Sequence, residues 1–263
     1  MEKITSKSNE KIKFAVSLRD NASQRKKSGM FFVEGARLCE DAALSEVNIL
    51  QLFFTEKSEN KFHSYLNNIL PAAAEAYMIS EDVSAKLSDT RSPQGVFCVC
   101  EIPKTISQVS KINRGQKYIL LENVQDPSNC GAVSRSAEAL GIDGMIVCGG
   151  CDIYNPKAMR ASMGALFRLN VIEAALEDVA AAAKAAGLPL AASTPDSAAV
   201  KVTDADFSDG VICIIGNEGN GVSDEAISLC DYQITIPMNG RAESLNASTA
   251  SAILIWEMVR NGA

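Results

Sequence analysis

The sequence predicts an α/β fold whose second half contains a mostly parallel sheet. Short apolar strands alternate with helices along most of the chain, an order that is typical of sheets covered by helices. The strands at residues 118–121 and 211–215 are apolar at every position, which indicates burial on both faces. With 263 residues, 47% hydrophobic and 22% charged, the chain is long enough for one or two globular domains.

The first hundred residues predict a smaller α/β domain, residues 1–101. It begins with an amphipathic helix at 9–20, in which Ile12, Ala15 and Val16 share one face. The strands predicted after it lie at 30–34 (before Gly35), 49–54, 77–79 and 96–101. The predicted helices lie at 36–44, 62–70 and 82–87, and residues 57–61 are predicted to be a loop. Residues 102–116 are polar and predict a linker between domains.

Residues 117–263 predict the larger domain. Gly141 and Gly187 follow two of its helices and are typical C-terminal stops, and Pro156 suits the first position of a third. The predicted strands lie at 118–121, 145–148, 168–172, 190–192, 211–215 and 232–236, and the predicted helices at 129–140, 156–163, 176–186, 223–230 and from about 246 to 260. In parallel sheets of this kind, ligands bind beyond the carboxyl ends of the strands.

Composition excludes several classes of function. No apolar run approaches the roughly 18 residues of a membrane span, and the N-terminus has no apolar signal core. The eight scattered cysteines favour buried thiols in the cytoplasm over a disulfide framework. The lone Cys148-Gly-Gly-Cys151 pair and the single histidine, His63, give no metal-binding pattern, so we expect no metal and no membrane partner.

The charge is unevenly distributed. The net charge of −7 argues against non-specific nucleic-acid binding by the whole surface. Residues 1–27, however, hold eight basic and three acidic side chains. This basic segment is either a patch that contacts phosphates or an ordinary solvated helix face.

Three loops at predicted strand ends are unusually polar. The first, residues 123–137, contains Asn129 and Arg135, although Arg135 could equally be an ordinary exposed helix arginine. The second, residues 216–222, has three glycines and follows a buried strand. Such a loop permits close backbone approach, or it is a plain glycine-rich turn. In the third, Pro237 ends a strand, and Ser244 and Asn246 are residue types that cap a helix.

In this order and spacing, the three stretches resemble the motifs of the SPOUT superfamily of methyltransferases, specifically the TrmH (SpoU) family of RNA ribose 2′-O-methyltransferases. The matching segments are Asn-Cys-Gly-Ala-Val-Ser-Arg (129–135), Gly-Asn-Glu-Gly-Asn-Gly (216–221) and Ile-Pro-Met-Asn-Gly-Arg-Ala-Glu-Ser-Leu-Asn-Ala-Ser (236–248). Val222 and Ala247 depart from the usual Leu and Val of the family. Residues 1–101 resemble its ribosomal-protein-like substrate-binding domain through Phe-Phe-Val-Glu-Gly (31–35) and Ser-Pro-Gln-Gly-Val (92–96).

The resemblance implies a fold that the pattern of elements alone does not predict. SPOUT domains thread their C-terminal segment into a trefoil knot, whereas knots are nearly absent from proteins in general. The family also works as a homodimer through the knot region. The apolar residues of the last predicted helix cover more than one face, as burial against its own sheet and a partner requires.

The resemblance further implies transfer of a methyl group from S-adenosylmethionine to a ribose 2′-hydroxyl, in rRNA rather than tRNA because a recognition domain is added. The residues that would hold the cofactor are Gly216, Ile236, Met238 and Leu245. Arg135 would act as general base, or would hold a phosphate and stabilise the alkoxide, since a guanidinium rarely loses its proton. The residues that would position the substrate and the loops are Asn129, Glu218, Ser244 and Asn246.

Two alternatives stay open. One is a noncatalytic RNA-binding protein on the same fold. The other is an unrelated α/β enzyme that binds a phosphorylated small molecule at the Gly216 loop, although no lysine stands beside that loop. Binding of S-adenosylmethionine would exclude the second, and turnover would exclude the first.

Overall fold

Two compact units make up the described part of the chain. The computed structural model describes residues 2–103 and 109–260. The first unit contains residues 2–103 together with Asp152–Phe167, and the second contains residues 109–151 and 168–260. Residues 104–108 of the predicted linker lie outside the described residues. The predicted domain limits at 101 and 117 stay predictions, and the assignment of 152–167 to the first unit was not anticipated.

Twelve strands lie in the described residues and form two sheets. In chain order they are β1 (Glu2–Ile4), β2 (Met30–Glu34), β3 (Ile49–Thr55), β4 (Ala73–Ile79), β5 (Val96–Glu101), β6 (Lys117–Glu122), β7 (Gly144–Cys148), β8 (Val171–Glu173), β9 (Leu190–Ser193), β10 (Val200–Lys201), β11 (Val211–Ile215) and β12 (Tyr232–Thr235). The first five form one sheet and the other seven form the second.

Eleven α-helices cover these sheets in the same ranges of the chain. In chain order they are α1 (Glu10–Asp20), α2 (Ala22–Ser28), α3 (Ala36–Leu44), α4 (Glu56–Lys61), α5 (His63–Ala72), α6 (Glu81–Leu87), α7 (Pro127–Leu140), α8 (Pro156–Ser162), α9 (Leu176–Ala186), α10 (Asp224–Leu229) and α11 (Ala247–Val259).

The five-stranded sheet of the first unit is mixed. Its order is β1-β4-β3-β5-β2, with β4 parallel to β1 and β3, and β5 antiparallel to β2 and β3. Because side chains alternate along a strand, Phe31 and Phe32 enter opposite hydrophobic cores. Phe54 joins Phe31 in one core, and Phe53 joins Phe32 in the other. The sheet is therefore packed on both faces, as the predicted α/β class requires.

Residues 57–61 were wrongly predicted to be a loop, because they belong to α4. A capping box starts this helix: the backbone N–H of Ser58 donates to Thr55 Oγ1 at 3.1 Å, and the backbone N–H of Thr55 donates to Ser58 Oγ at 2.9 Å. Both side chains are buried. The helix therefore depends on its cap rather than on an apolar periodicity, which is why the pattern did not reveal it.

The basic segment at residues 1–27 is largely used within the first unit. Arg25 is buried, and its Nε lies 2.6 Å from Asp152 Oδ2. Arg19 donates to the carbonyls of Lys86 and Ser88 at the C-terminal end of α6, which suits the negative end of a helix. The lysines with acidic partners are Lys7 (Asp82), Lys11 (Glu75) and Lys13 (Glu10). Among the described residues, Lys3, Lys26 and Lys27 have no ion-pair partner, so three of the eight basic side chains are left for phosphates.

The seven-stranded sheet of the second unit confirms the predicted parallel arrangement. Its order is β10-β12-β9-β11-β6-β7-β8, and each neighbouring pair is parallel. Leu120, Ile212 and Ile214 are fully buried near its centre. The C-terminal helix α11 packs against α7 and contacts β6 and β11, although it follows β12 in the chain. The chain therefore returns from near one edge of the sheet to its middle.

Candidate active site

Three polar loops leave strands of the second unit at their carboxyl ends. The first follows β6 and leads into α7, the second follows β11, and the third connects β12 to α11. Leu121 of β6 pairs with Ile215 of β11, so the first two loops start side by side. This is the edge at which parallel sheets bind their ligands.

Glu218 of the second loop holds the first loop in place. Its Oε2 accepts a hydrogen bond from the backbone N–H of Gln125 at 2.9 Å, and its Oε1 accepts one from that of Asp126 at 3.0 Å. Asn129 Nδ2 also donates to Oε1, at 2.9 Å. Burial opposes the charge, but these hydrogen bonds outweigh it and lower the pKa of Glu218 below its usual value. The carboxylate is thus the acceptor around which the first loop is arranged.

Asn129 also contacts the third loop. Its Oδ1 accepts a hydrogen bond from Asn246 Nδ2 at 3.0 Å. Asn246 is the N-cap of α11, and its own Oδ1 accepts from the backbone N–H groups of Ser248 and Thr249. We call this chain of hydrogen bonds the Glu218–Asn129–Asn246 relay. In it, the Nδ2 of each asparagine donates to one partner and the Oδ1 accepts from another. The structure therefore joins three of the predicted site residues directly.

Gly216 is closely surrounded by the backbone of its own loop, and its role in cofactor binding stays a prediction. A Cβ atom at this position would lie 2.0 Å from the carbonyl carbon of Gly221 and 2.1 Å from the nitrogen of Val222. The backbone that approaches Gly216 is thus the end of its own loop, which is closed by two hydrogen bonds between Asn217 and Gly221 at 2.9 Å. The glycine is required by the fold of the loop itself.

Arg135 lies on the same helix as Asn129, six positions later, which is about 9 Å along the axis at 1.5 Å per residue. Its neighbours Val133, Ser134 and Ala137 are buried, whereas Arg135 is exposed. Among the described residues no acidic side chain pairs with its guanidinium. A rigid helix therefore presents an uncommitted cation, available to bind a phosphate or a developing alkoxide.

A cavity of about 520 Å³ lies along the third loop. Ile236 and Met238 line it, as predicted for cofactor-binding residues, together with Pro237, Ala242 and Glu243. Gly216 and Leu245 are not among its lining residues, and neither is Ser244. Leu245 and Ser244 lie exposed on the same loop, nearer to the start of α11. Two of the four predicted cofactor-binding residues, Ile236 and Met238, thus line the cavity, and the other two, Gly216 and Leu245, lie outside its lining.

The opposite wall was missed by the sequence analysis. It contains Pro195, Ser197 and Lys201 from the segment after β9, and Thr235 from the end of β12. A signal was present, because Ser-Thr-Pro-Asp-Ser (193–197) is a polar, proline-containing stretch directly after an apolar strand. Ile234 pairs with Ser193, which brings the end of β9 beside the third loop.

Residues 2–103 and 109–260 contain no cluster of three or more His, Cys, Asp or Glu side chains that could hold a metal ion. Burial raises the pKa of the Cys148 thiol to about 12, and the nearby Glu122 carboxylate adds to the shift. Such a thiol is a poor metal ligand and nucleophile at neutral pH. Within the same ranges, none of the helices has the length and apolar character that crossing a bilayer requires.

The fold and the site together define a class: an α/β protein with a cofactor-sized cavity at the carboxyl edge of a parallel sheet. Residues 116–256 match the model of the SpoU rRNA Methylase family, and residues 9–98 match that of the MRM3-like substrate binding domain. The chain belongs to the SpoU rRNA methylase family. This confirms the predicted family and enzyme class, an S-adenosylmethionine-dependent RNA 2′-O-methyltransferase.

Relatives and solved structures agree with this assignment over nearly the whole chain. The chain is 30% identical to the 23S rRNA (guanosine(2553)-2′-O)-methyltransferase RlmP of Bacillus subtilis, over 98% of this chain and 99% of that protein. It is 31% identical to the 23S rRNA (uridine(2479)-2′-O)-methyltransferase of Streptomyces viridochromogenes, over 93% and 87%. The AdoMet-bound rRNA methyltransferase from Sinorhizobium meliloti superposes with a TM-score of 0.88 at 27% identity, covering 100% of this chain and 98% of that one.

Proposed function

We propose that this protein transfers the methyl group of S-adenosylmethionine to the ribose 2′-hydroxyl of one nucleotide in 23S rRNA. The observation that carries the proposal is the Glu218–Asn129–Asn246 relay, which links the three family motifs at the ligand-binding edge of the sheet. Holding two reactants in line is the main contribution a protein can make to a transfer of this kind. A relay that fixes three loops relative to one another serves that purpose.

The cavity along the third loop fits the cofactor. Its volume of about 520 Å³ lies within the range of roughly 300–1,000 Å³ that is usual for cofactor-sized ligands. Ile236, Pro237 and Met238 offer an apolar surface for a flat adenine ring, and Lys201 and Glu243 offer opposite charges for the amino-acid end. When bound, the sulfonium supplies an already activated methyl group. Leu245 would complete the site from the exposed part of the loop, while Gly216 supports it through the loop fold.

Arg135 would act on the RNA. Its exposed and unpaired guanidinium is suited to hold a phosphate of the substrate and to stabilise negative charge that develops on the 2′-oxygen. Removal of the hydroxyl proton by Arg135 itself requires the neutral guanidine, which is costly at neutral pH. Ser244 would contact the substrate or the cofactor from the third loop.

The named relatives support a 23S rRNA substrate but not a particular base. One is named for a guanosine and the other for a uridine, so the ribose is what their substrates share. Transfer RNA is the alternative substrate.

Two measurements test the proposal. Isothermal titration with S-adenosylmethionine and S-adenosylhomocysteine should give one site per subunit, weakened by Met238→Lys, while Leu229→Lys serves as a control because Leu229 is exposed and lies outside the cavity. Incubation with radiolabelled cofactor should then label 23S rRNA from a strain that lacks the gene, and not its tRNA. Label in tRNA alone would reassign the substrate, and cofactor binding without any label would favour the noncatalytic alternative.

The domain limits are also part of the proposal. Residues 1–101 would bind the RNA and residues 117–263 would carry out the transfer, with 102–116 between them. The match of residues 9–98 to a substrate binding domain and of 116–256 to a methylase supports this division. We further propose that the protein works in the cytoplasm, where buried thiols such as the six buried cysteines stay reduced.

A homodimer and a trefoil knot complete the proposed architecture. Helix α11 buries Leu254, Ile255 and Met258 yet leaves Trp256 51% exposed, and an exposed tryptophan on an apolar helix is suited to an interface. The return of α11 to β6 and β11 from β12 supports a threaded C-terminus. Light scattering should give twice the 28.0 kDa chain mass for the wild type and a lower mass for Trp256→Lys.

A further inference from the structure

A second cavity, of about 500 Å³, lies in the first unit, and the proposed transfer chemistry does not use it. Its walls come from the end of β2, the first turns of α3, the loop before β5 and the end of α8. The lining residues that matter here are Glu34, Arg37, Leu38, Arg91, Arg160 and Met163. All of them lie in one compact unit, so the cavity is a feature of that unit by itself.

Glu34, one of the two acidic residues that line this cavity, is engaged by the protein. Glu34 is buried and accepts hydrogen bonds from Ser88 Oγ, from Thr90 Oγ1 at 2.8 Å and from the backbone N–H of Asp89 at 3.0 Å. Arg160 Nη2 lies 2.7 Å from Asp89 Oδ2. These contacts order the loop at one side of the cavity, and Arg160 offsets part of the negative charge of Glu34 and Asp89. Asp41 also lines the cavity, so three arginines and two carboxylates contribute to its lining.

Two of the three arginines that line the cavity, in contrast, are available. Arg37 and Arg91 are exposed, and neither has an acidic partner among the described residues. Arg160 Nη1 is buried and has no hydrogen-bond acceptor in the same part of the chain, its nearest carboxylate oxygen being Glu34 Oε2 at 3.7 Å. Helix α3 begins at this cavity, where the backbone N–H of Ala36 donates to Gln94 Oε1 at 2.9 Å, and the positive end of its dipole adds to the attraction for an anion.

An apolar surface stands beside these cations. Met163 is 42% exposed and has a positive φ of 50°, a left-handed conformation that is uncommon for a residue other than glycine. Gly164 permits the tight turn, because a Cβ there would lie 2.7 Å from Asp41 Oδ2. The left-handed conformation of Met163 ends α8, because Met163 is the C-cap of the helix and its backbone N–H donates to the Arg160 carbonyl. The turn leaves the Met163 side chain exposed at the cavity. Leu38, which is nearly buried, continues the same surface.

We propose that this cavity binds one unstacked nucleotide of the single-stranded part of the RNA substrate. The phosphate would lie between Arg37 and Arg91, since guanidinium groups bind phosphate through paired hydrogen bonds. The base would lie on Met163 and Leu38, with Arg160 Nη1 as a donor to a base oxygen or nitrogen. Proteins recognise RNA sequence mostly through unpaired bases of this kind.

The size of the cavity favours a nucleotide over a bare phosphate. About 500 Å³ is a volume that holds a cofactor-sized ligand, far more than an inorganic anion fills. Cations on one side and an apolar surface on the other match the two halves of a nucleotide. The inference rests on the proposed function, because it takes the bound nucleotide to be part of the rRNA substrate and not a free mononucleotide.

The test compares variants in methyl transfer to 23S rRNA from a strain that lacks the gene. We expect Arg37→Ala combined with Arg91→Ala to raise KM for the RNA at least tenfold, with kcat and cofactor affinity unchanged. The salt dependence of RNA binding should weaken by about 0.7 in log–log slope for each phosphate that the variant no longer binds. Met163→Ala should raise KM with the slope unchanged, because it removes no charge. Lys111→Ala combined with Lys184→Ala removes the same charge from two exposed lysines outside residues 1–101 and should leave KM within twofold.

Other outcomes overturn the inference. An unchanged KM in the arginine variant would do so, as would an equal rise in the lysine control, which would indicate a general charge effect. A methyl-13C signal of Met163 that shifts with guanosine monophosphate while the rRNA KM stays unchanged would assign the cavity to a free nucleotide. If the wild type binds cofactor but labels no RNA, the proposed function fails first. Filter binding of the RNA to the same variants then decides whether the cavity still contacts it.

Discussion

Asn246 Nδ2 donates a hydrogen bond to Asn129 Oδ1 at 3.0 Å, although the two residues are 117 positions apart in the chain. Asn129 passes the connection to Glu218, and Asn246 at the same time caps α11. One short relay thus sets the loop before α7, the glycine loop after β11 and the loop before α11 in a single arrangement. The site geometry depends on this arrangement more than on any one of the three loops.

Asn246→Asp tests the relay separately from the helix cap. Aspartate caps helices as well as asparagine does, so the thermal midpoint should stay near that of the wild type. Aspartate cannot donate a hydrogen bond to Asn129 Oδ1. Rotating the Asn129 amide would let its nitrogen donate to the aspartate, but its oxygen would then face the Glu218 carboxylate and the hydrogen bond to Glu218 would be lost. We expect kcat for methyl transfer to fall at least tenfold, since small displacements of reacting groups are costly. Asn246→Ala should lose the cap as well, with about 1 kcal/mol of stability. Wild-type kcat in Asn246→Asp would contradict the role of the relay.

Arg135→Ala should abolish most turnover without affecting the cofactor. An exposed cation that stabilises developing charge commonly contributes about 100-fold or more to a rate. We expect a loss of that size in kcat, with unchanged binding of S-adenosylmethionine by titration. Arg168→Ala is the matched control, since Arg168 is an exposed arginine of the same unit that pairs with Glu138 at 2.9 Å. Comparable losses in both variants would show that the effect is not specific to Arg135.

Comparing Gly216→Ala with Gly219→Ala tests whether the loop requires glycine at position 216 in particular or tolerates alanine at either position. A Cβ at 216 would lie 2.0 Å from backbone atoms, whereas at 219 the nearest heavy atom is Asn217 Oδ1 at 3.5 Å. We expect Gly216→Ala to lower stability by a few kcal/mol, as steric overlap in a packed site does, and to lose cofactor binding. Gly219→Ala should keep the thermal midpoint and the affinity. Equal behaviour of the two variants in thermal unfolding would contradict this account of the loop.

The hydrogen bonds to Glu218 should be lost at acid pH. Because its folded pKa is lowered, their stabilisation is complete above the usual glutamate value of 4.5 and disappears as the pH falls through the lower folded pKa. The amide protons of Gln125 and Asp126, which donate to this carboxylate, should report that titration by NMR with a midpoint below 4.5. Glu218→Gln should remove the titration. A midpoint above 4.5 would mean that burial outweighs the hydrogen bonds.

Much of the site could be predicted because its polar residues interrupt strong apolar patterns. Asn129, Glu218 and Asn246 stand directly after buried strands or at helix starts, and strand ends of a parallel sheet share one edge. Their mutual hydrogen bonds could not be predicted, because long-range partners depend on the strand order and register, which no local pattern contains. For the same reason, the close approach of the Gly221 and Val222 backbone to Gly216 could not be predicted.

The fold was predictable where periodicity was strong and not elsewhere. Six of the seven parallel strands were predicted from apolar runs such as Val-Ile-Cys-Ile-Ile in β11, whereas the two-residue strand β10 was not predicted. Helix α8 was predicted, but an apolar face does not reveal which core it will join, and Met159 of that helix packs in the core of the first unit. The far wall of the cofactor-sized cavity, from Pro195 to Lys201, comes from a segment whose residue types are those of any surface loop.

The most direct test of the central claim is the chemical position of the transferred methyl group. After incubation with radiolabelled S-adenosylmethionine, 23S rRNA from a strain lacking the gene is hydrolysed with alkali, which cleaves next to each free 2′-hydroxyl. The account predicts that the label appears in a single alkali-resistant dinucleotide, and that Arg135→Ala yields none. Label in a mononucleotide would place the methyl on a base, and would contradict ribose 2′-O-methylation by this site.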